Sequence, residues 1–212
     1  MKKYFLSAAL MMCLVACSST RYASSAKNKS VFSDHELSLI RSAKSDVPMR
    51  VFKINNHSDS LLLRSQSTDV DLEIADETLS LFASRMYATV RDSMSLGVGI
   101  AAPQVGILKN MIWVQRFDKE DAPFEFYINP KILQYSTKKQ SRREGCLSIP
   151  DRRDTLNCRS YAIMIEYDMM DKSHHIEMVE DFTAIIFQHE IDHLNGILYT
   201  DHLETELQEA KE

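Results

Sequence analysis

The sequence predicts an α+β fold in a single globular domain, and three observations lead to that prediction. Two amphipathic helical patterns, over residues 76–93 and 179–195, enclose a stretch that alternates in the manner of β-strands. No βαβ unit repeats along the chain, which favours an α+β arrangement over a doubly wound sheet. The composition, with 44% hydrophobic and 26% charged residues, is typical of a globular protein with a substantial core.

The individual elements follow from local patterns. In residues 76–93 apolar side chains recur at positions 79, 82, 83, 86, 87 and 90, the spacing of a helical face, with acidic residues at the start. Glycines then interrupt the pattern in LGVGIAAPQVG, residues 96–106. The alternating segments predict three strands and then a hairpin, at 107–115, 124–128, 132–136, and 160–168 with 174–179. The second helix, 179–195, is expected to end at Gly196.

The N-terminus predicts an export signal. Lys2 and Lys3 precede a short apolar run, residues 4–16, which ends in Leu-Val-Ala before Cys17. This arrangement resembles the lipobox of bacterial lipoproteins, which implies cleavage before Cys17 and acylation of that residue. A plain secretory signal or a buried N-terminal helix is the alternative. We therefore expect a signal at 1–16, a flexible Ser- and Ala-rich tether at 17–45 and a folded domain at 46–212.

Charge and cysteine content narrow the function further. The net charge of −5 and the lack of a Lys/Arg run argue against nucleic-acid binding. Cys13 lies inside the predicted signal and Cys17 would be lipidated, which leaves Cys146 and Cys158 in the domain. These two could form one disulfide but no disulfide framework. A free thiol at Cys146 of an exported protein would need a functional reason.

The stretch QHEIDHLNG, residues 188–196, suggests a metal site. His189 and His193 are four apart, so they share one face of a helix and can hold one ion, with Glu190 beside it. They continue an apolar stripe formed by Phe182, Ile185 and Ile186. The alternative is a pair of surface or core-edge histidines. Asp192 is expected either to orient a ligand or to form a structural ion pair.

A catalytic metal normally has a third protein ligand. Downstream, Gly196 fits the metzincin pattern, but Tyr199 stands where its third histidine belongs, and His202, Glu204 and Glu206 are misplaced. Upstream, EGCLS (residues 144–148) offers Cys146. A thiolate with two imidazoles is a sound ligand set for a transition metal.

Three segments together resemble the signature motifs of peptide deformylases: GVGIAAPQVG at 97–106, EGCLS at 144–148 and QHEIDHLNG at 188–196. Their order and separation match as well, and the similarity extends from about residue 48 to the end. The resemblance implies an α+β fold with antiparallel or mixed sheets around a central metal-binding helix. It also implies a hydrolase that removes the formyl group from N-terminal formyl-methionine and releases formate.

The resemblance assigns roles to individual residues. Cys146, His189 and His193 would bind one divalent metal ion, and Glu190 would act as general base and then general acid. Gln104 and the backbone N–H of Leu147 would stabilise the oxyanion. Val98 and Gly99 would hold the peptide backbone, and Ile185 and Ile186 would line the methionine pocket. The family natively uses Fe(II), and Zn, Ni or Co are also accepted.

The sequence departs from the family at three points. Arg142 stands where an aliphatic residue is common, and we interpret it as a solvated charge. Cys158 occupies a position that often holds an arginine, with Arg159 next to it, which puts the ion pair expected for Asp192 in doubt. The lipobox predicts a membrane-anchored location outside the cytoplasm, whereas most of the family is cytoplasmic.

The predicted partners are N-formylmethionyl peptides and, through a lipidated Cys17, a membrane; we expect a monomer that binds no nucleic acid. Two other functions are considered. One is an HExxH metalloprotease, against which Cys146 and the missing downstream ligand count. The other is a catalytically silent formyl-peptide-binding lipoprotein, in which Glu190 would have no purpose.

Overall fold

The computed structural model describes residues 30–93 and 96–211, which form five α-helices, seven strands and a short 3₁₀ helix at Ala102–Val105. The predicted α+β fold is confirmed. The helices are α1 (Asp34–Ile40), α2 (His57–Leu63), α3 (Glu77–Val90), α4 (Asp181–Leu194) and α5 (Tyr199–Glu209). The strands are β1 (Gly99–Ala101), β2 (Met111–Gln115), β3 (Phe124–Tyr135), β4 (Lys139–Cys146), β5 (Ile149–Ser160), β6 (Ala162–Asp168) and β7 (His174–Glu180).

Two antiparallel sheets organise the domain. Five strands form one sheet in the order β1-β2-β3-β6-β7, and β4 and β5 form a separate two-stranded sheet. β1 is an edge strand, because only one of its sides pairs with another of the described strands. β3 carries on through the segments predicted as two strands, with register irregularities between Ile128 and Lys131 and between Ile132 and Gln134.

The helix α4 is the central element of the fold. Its inner face packs against the five-stranded sheet in a core that includes Ala184, Phe187 and Ile191. Full burial of one such large apolar side chain stabilises the fold by about 1.5–3 kcal/mol. The helix ends at Leu194, and Gly196, directly after the C-cap Asn195, has a φ of 72° in the left-handed region. A Cβ on Gly196 would also lie 2.5 Å from the carbonyl oxygen of Arg64. Both the backbone angle and this close contact therefore favour glycine.

Part of the predicted tether is instead folded. Ser33 caps α1 with a reciprocal capping box to Glu36, and Val31, Phe32 and Ile40 are buried in the core that contains α3. For residues 30–45 the prediction of a flexible tether is therefore wrong, because apolar residues spaced among polar ones pack against the domain. The predicted signal, Cys17 and the tether up to residue 29 lie outside the described residues.

Several other elements were not predicted from the sequence. The paired strands β4 and β5 carry many charged residues, and α2 and α5 are short and polar. Their apolar periodicity is weak, and pairing or docking stabilises them instead. Between residues 30 and 211, leaving out 94 and 95, no helix combines the length and apolar character needed to cross a membrane.

Candidate metal centre and active site

The three predicted metal ligands meet at one point, although they lie on two separate elements. Cys146 ends β4, and His189 and His193 lie one turn apart on α4. Their ligand atoms lie within 4.8 Å of one another, with Cys146 Sγ 3.2 Å from His193 Nε2. Ordinary bond lengths to sulfur and nitrogen place the ligand atoms of one tetrahedral ion about 3.5 Å apart. The three side chains can therefore share a single ion.

The hydrogen bonds around these ligands also fit a bound ion. His189 Nδ1 lies 2.8 Å from Glu144 Oε2, so Nδ1 donates to the carboxylate and the Nε2 lone pair is free for a metal. Glu190 Oε2 and His193 Nδ1 are buried and have no hydrogen-bond partner among the residues that the structure describes. Buried polar atoms without partners are rare and often mark the place where an ion or a water binds. The donor set of one thiolate and two imidazoles suits a transition metal.

Electrostatics favour the thiolate form that binds metals. Burial raises the pKa of the Cys146 thiol, but His193 and His189 outweigh it and hold that pKa well below its usual value. Burial lowers the pKa of His189, whereas Cys146 and Glu144 raise it, and the net pKa lies well above the ordinary value. In the absence of metal, the Cys146 thiolate and the protonated His189 imidazole therefore stabilise each other. A divalent cation would bind both groups and release the proton of the imidazole.

A buried ion-pair network supports His189 from behind. Arg159 donates from Nε and Nη2 to the two oxygens of Glu144, at 2.7 and 3.0 Å, and from Nη1 to Asp192 at 2.6 Å. Burial raises the pKa of Glu144, but His189 and Arg159 bring it down to about 2. His202 also contacts Asp192, with Nε2 2.9 Å from Oδ2. Asp192 therefore forms a structural ion pair that is linked through Arg159 and Glu144 to His189, a predicted metal ligand.

A β-bulge in β5 explains how Arg159 takes this place. Gln140 pairs with Arg159, and Arg142 pairs with Leu156, so β5 has one more residue than β4 between these pairs. The extra residue shifts the strand by one position, so Arg159 is buried whereas Cys158 is half-buried. The ion pair that the position of Cys158 put in doubt is present, with the neighbouring arginine.

Gln104, the predicted oxyanion residue, faces the ligand cluster. Its Oε1 accepts a hydrogen bond of 2.9 Å from the N–H of Ala101, which directs the amide nitrogen towards the site. That nitrogen lies 3.5 Å from Cys146 Sγ and 3.3 Å from Ser148 Oγ. Leu147 lies in the turn between β4 and β5, directly after Cys146, and lines the same cavity. The amide of Gln104 is therefore positioned to donate to an oxygen next to the metal centre.

Glu190 lies against the backbone of β1. A Cβ on Gly99 would stand 2.5 Å from Glu190 Oε1, so only glycine leaves room for this carboxylate. Burial raises the pKa of Glu190 to about 7, against the opposing effect of His189 and His193. A carboxyl group with a pKa near neutrality suits a general base that later acts as an acid.

A single cleft of about 840 Å³ joins these groups to the predicted substrate residues. Its walls include most of the predicted site, namely Val98, Gly99, Gln104, Cys146, Leu147, Ile185, Ile186, His189 and Glu190. Phe182 extends the apolar wall of α4 and carries the guanidinium of Arg142 4.2 Å above its ring. Arg142 is exposed as expected, but it covers an aromatic ring and is not a purely solvated charge.

The downstream candidates support the site without joining the ligand cluster. The ring of Tyr199 stacks near His189, with centroids 6.1 Å apart, and its hydroxyl donates to Asp154. Glu206 accepts hydrogen bonds from the N–H groups of Asn157 and Cys158. Within the part of the chain that the structure describes, Cys146 and Cys158 are both free cysteines. The supporting roles of Arg159 and of α5 were not found from the sequence, because they depend on the bulge and on docking between distant segments.

Comparison with known proteins agrees with the geometry. The family model for polypeptide deformylase matches residues 50–209. A peptide deformylase of Leptospira biflexa is 35% identical over 164 residues, which cover 74% of this chain and 88% of that protein. One from Finegoldia magna is 36% identical over 140 residues, covering 66% and 82%.

Solved structures give the same result. The Met-Ala-Ser-bound peptide deformylase of Acinetobacter baumannii has a TM-score of 0.65 at 34% identity and covers 74% of this chain and 99% of its own. The peptide deformylase of Thermotoga maritima has a TM-score of 0.64 at 31% identity, covering 73% and 97%. The predictions of family and of an enzyme are confirmed: this chain belongs to the peptide deformylase family.

Proposed function

We propose that this chain hydrolyses the formyl group from the N-terminal methionine of peptides, through a divalent ion held by Cys146, His189 and His193. The observation that carries the proposal is the position of Glu190. It is buried beside the ligand cluster, with one oxygen against Gly99 and the other without a partner among the described residues. A binding protein would have no use for such a carboxylate, whereas hydrolysis needs one.

A bound divalent ion would supply Lewis acidity and lower the pKa of the attacking water. Glu190 then has two tasks. As a carboxylate it takes a proton from the water that attacks the formyl carbon. As an acid it returns that proton to the methionine nitrogen, which leaves as an amine. A pKa of about 7 lets one residue serve both steps near neutral pH.

The negative charge that develops on the formyl oxygen needs donors in place beforehand. The side-chain amide of Gln104 provides one, because the N–H of Ala101 holds its carbonyl and leaves its nitrogen directed at the centre. We assign the second donor to the backbone N–H of Leu147, which lines the cleft. Preorganised donors of this kind each contribute roughly 100- to 1,000-fold to the rate.

The peptide is proposed to lie along the free edge of β1. Val98 and Gly99 lie at the start of this edge strand and line the cleft, where an extended peptide could pair with the backbone. Ile185 and Ile186, one turn before His189 on α4, would receive the methionine side chain. This placement brings the formyl group of the first residue to the ligand cluster.

For the metal we propose Fe(II), which suits the mixed sulfur and nitrogen donors. The test compares protein reconstituted anaerobically with Fe(II) against protein loaded with Zn, Ni or Co. We expect the iron form to lose activity on exposure to air. Removal of the oxidised metal and anaerobic addition of fresh Fe(II) should restore that activity. Native metal content measured on anaerobically purified protein would contradict the proposal if another metal predominates.

The function is tested by formate release from formyl-Met-Ala-Ser. Glu190→Gln keeps the shape of the side chain but removes the base, so turnover should fall roughly 100- to 10,000-fold. Metal content should stay unchanged, because Glu190 is not in the ligand cluster. Retained turnover in this variant would contradict the role of Glu190, and casein cleavage without formate release would favour a metalloprotease.

We also propose that the chain is a monomeric lipoprotein anchored through Cys17 outside the cytoplasm, and that its substrates are formyl-peptides of that compartment. The support is the basic start, the short apolar run and Leu14-Val15-Ala16 before Cys17. Mass spectrometry of the cellular N-terminus should find a diacylglyceryl group on Cys17, and Cys17→Ala should abolish it. An unprocessed Met1 would overturn the proposal and indicate a cytoplasmic enzyme.

A further inference from the structure

One rim of the cleft is strongly cationic although the chain as a whole is acidic. Lys53, Arg143, Arg152 and Arg153 are exposed and line the same cleft as the ligand cluster, and we call these four residues the cationic rim. The net charge of the chain is −5. A local excess of positive charge at the mouth of an active site attracts anionic ligands and repels cationic ones.

The protein neutralises little of this charge. Arg152 pairs with Asp154 at 2.7 Å, but Lys53, Arg143 and Arg153 have no ion pair with any residue in 30–93 or 96–211. Of the acidic residues that line the cleft, Glu144 already pairs with Arg159, and Glu190 belongs to the reaction. Asp151 is the remaining carboxylate, and it is exposed. The rim therefore keeps a positive excess that a ligand can use.

The geometry brings Arg153 close to the reacting centre. Arg153 pairs across the ladder with Gly145, which directly precedes the ligand Cys146. Because Gly145 has no side chain, Arg153 lies over it, and a Cβ there would stand 2.9 Å from Arg153 Cγ. Arg153 therefore lines the same cleft as Val98 and Gly99, next to the residue that precedes Cys146, where the residues that follow a bound formyl-methionine could contact it.

We propose that the cationic rim selects formyl-peptides that carry a carboxylate within the first residues after the methionine. The inference rests on the proposed function and adds the substrate class. The carboxylate belongs either to an acidic side chain or to the C-terminus of a short peptide, since the rim recognises the same group in both.

The effect falls on binding and not on the chemical step. The carboxylate would sit away from the formyl carbon, so its attraction to the rim is equal in the ground state and the transition state. KM should therefore change while kcat remains constant. Because the rim is exposed, salt should weaken the selection.

The experiment measures formate release by the metal-loaded full chain from three amidated peptides: formyl-Met-Ala-Glu, formyl-Met-Ala-Gln and formyl-Met-Ala-Lys. We expect kcat/KM for the Glu peptide to exceed that for the Lys peptide about tenfold at low ionic strength, with the ratio falling towards about twofold in 0.5 M NaCl. Formyl-Met-Ala-Ser as a free acid and as an amide separates a C-terminal carboxylate from a side-chain one.

Charge reversal locates the effect. Arg153→Glu and, separately, Arg143→Glu should bring the ratio between the Glu and Lys peptides close to one, because each change removes two units of positive charge from the rim, and the Gln peptide measures the turnover of each variant independently of this charge. Lys44→Glu makes the same change in net charge on an exposed residue after α1, outside the cleft, and should leave the ratio unchanged. An equal response of Lys44→Glu would show an effect of net charge alone and would overturn the proposal.

Values of kcat/KM within about twofold of one another for the Glu, Gln and Lys peptides at low salt also overturn the proposal. Turnover of the Gln peptide in that case leaves the proposed function intact. If no peptide releases formate, the proposed function fails. Calorimetric affinities of the same Glu and Lys peptides then decide the charge preference independently: tighter binding of the Glu peptide supports the cationic rim, and equal binding contradicts it.

Discussion

Arg159 and Arg116 are both buried and paired with carboxylates, and comparing them shows what distinguishes a structural charge network from one that supports a reaction centre. Arg159 is 3% exposed and pairs with Glu144 and Asp192. Arg116 is 1% exposed and bonds Asp118, Glu177 and the hydroxyl of Tyr127. Both satisfy a desolvated guanidinium with carboxylates, as burial requires.

The difference lies in what the carboxylates touch next. Glu144 accepts a hydrogen bond from His189, so Arg159 fixes the orientation of a proposed metal ligand through Glu144. Glu177 accepts instead from the hydroxyl of Tyr167, which lies in the sheet. Glu125, which also pairs with Arg116, forms a second ion pair with Lys119 at the surface. The two guanidinium groups are equally buried, but the carboxylates differ: the side chain of Glu144 is 5% exposed and that of Glu177 is 28% exposed. The hydrogen bond that Glu144 accepts from an imidazole is what links only the Arg159 network to the proposed reaction centre.

The largest effect is expected from Arg159→Met, which leaves Glu144 buried without its counter-charge. Unfolding free energy should fall by about 3–5 kcal/mol. Metal affinity should also fall, roughly 10- to 100-fold, because Arg159 no longer holds Glu144 in position beside His189. Chemical denaturation and competition with a chelator measure the two quantities. Unchanged metal affinity in a folded variant would contradict the functional role of this network.

Arg116→Met is the matched substitution in the other network. Stability should fall by less than in Arg159→Met, because the side chains of Asp118 and Glu177 are 30% and 28% exposed and remain partly solvated without the arginine. Metal affinity and kcat of the folded variant should remain as in the parent protein. A drop in metal affinity comparable to that of Arg159→Met would remove the distinction between the two arginines.

The two cysteines of the domain should differ in reactivity, because Cys146 lies in the ligand cluster and Cys158 lies outside it. Burial and Glu206 raise the pKa of Cys158 to about 11, so at pH 7 only about one thiol in 10,000 is ionised. The pKa of Cys146 lies well below its usual value. After chelation, iodoacetamide should modify Cys146 at least about 100-fold faster than Cys158 at pH 7, and raising the pH towards 11 should narrow the gap.

Peptide mass mapping would give both rates in one sample, and Cys158→Ser should leave the rate at Cys146 unchanged. With metal bound, Cys146 should be protected. Similar rates for the two thiols in the metal-free protein would show that His189 and His193 do not lower the pKa of Cys146 in solution.

The smallest effect is expected from His202→Ala, at the outer end of the Arg159 network. Loss of the contact with Asp192 should cost about 1 kcal/mol of stability. Metal affinity should weaken only a few-fold, since Arg159 still holds Asp192. His174→Ala is the control, because His174 contacts Asp168 at the same 2.9 Å in the hairpin of β6 and β7. An equal change in metal affinity in both variants would argue against transmission through Asp192.

Much of the site could be predicted because its residues occur in short sequence motifs. The spacing of His189 and His193 requires only a helix to bring them together, and α4 has the apolar stripe that makes one. Cys146 was found as the missing ligand because a thiol and two imidazoles form a sensible donor set. By contrast, β4 and β5 have polar sequences, and their pairing depends on each other and not on a local pattern.

The sequence by itself determined the elements with a strong local period and the family, and it predicted the metal ligands and the general base. Only the tertiary structure decided that Arg159 supports His189 through Glu144. A one-residue bulge shifts β5 so that Arg159, and not Cys158, is the buried residue. The tertiary structure also decided that residues 31–40 pack against the domain, and that four cations spread over 100 residues line one cleft. Periodicity and spacing are local properties, whereas register, docking and electrostatic neighbourhoods arise only when distant segments meet.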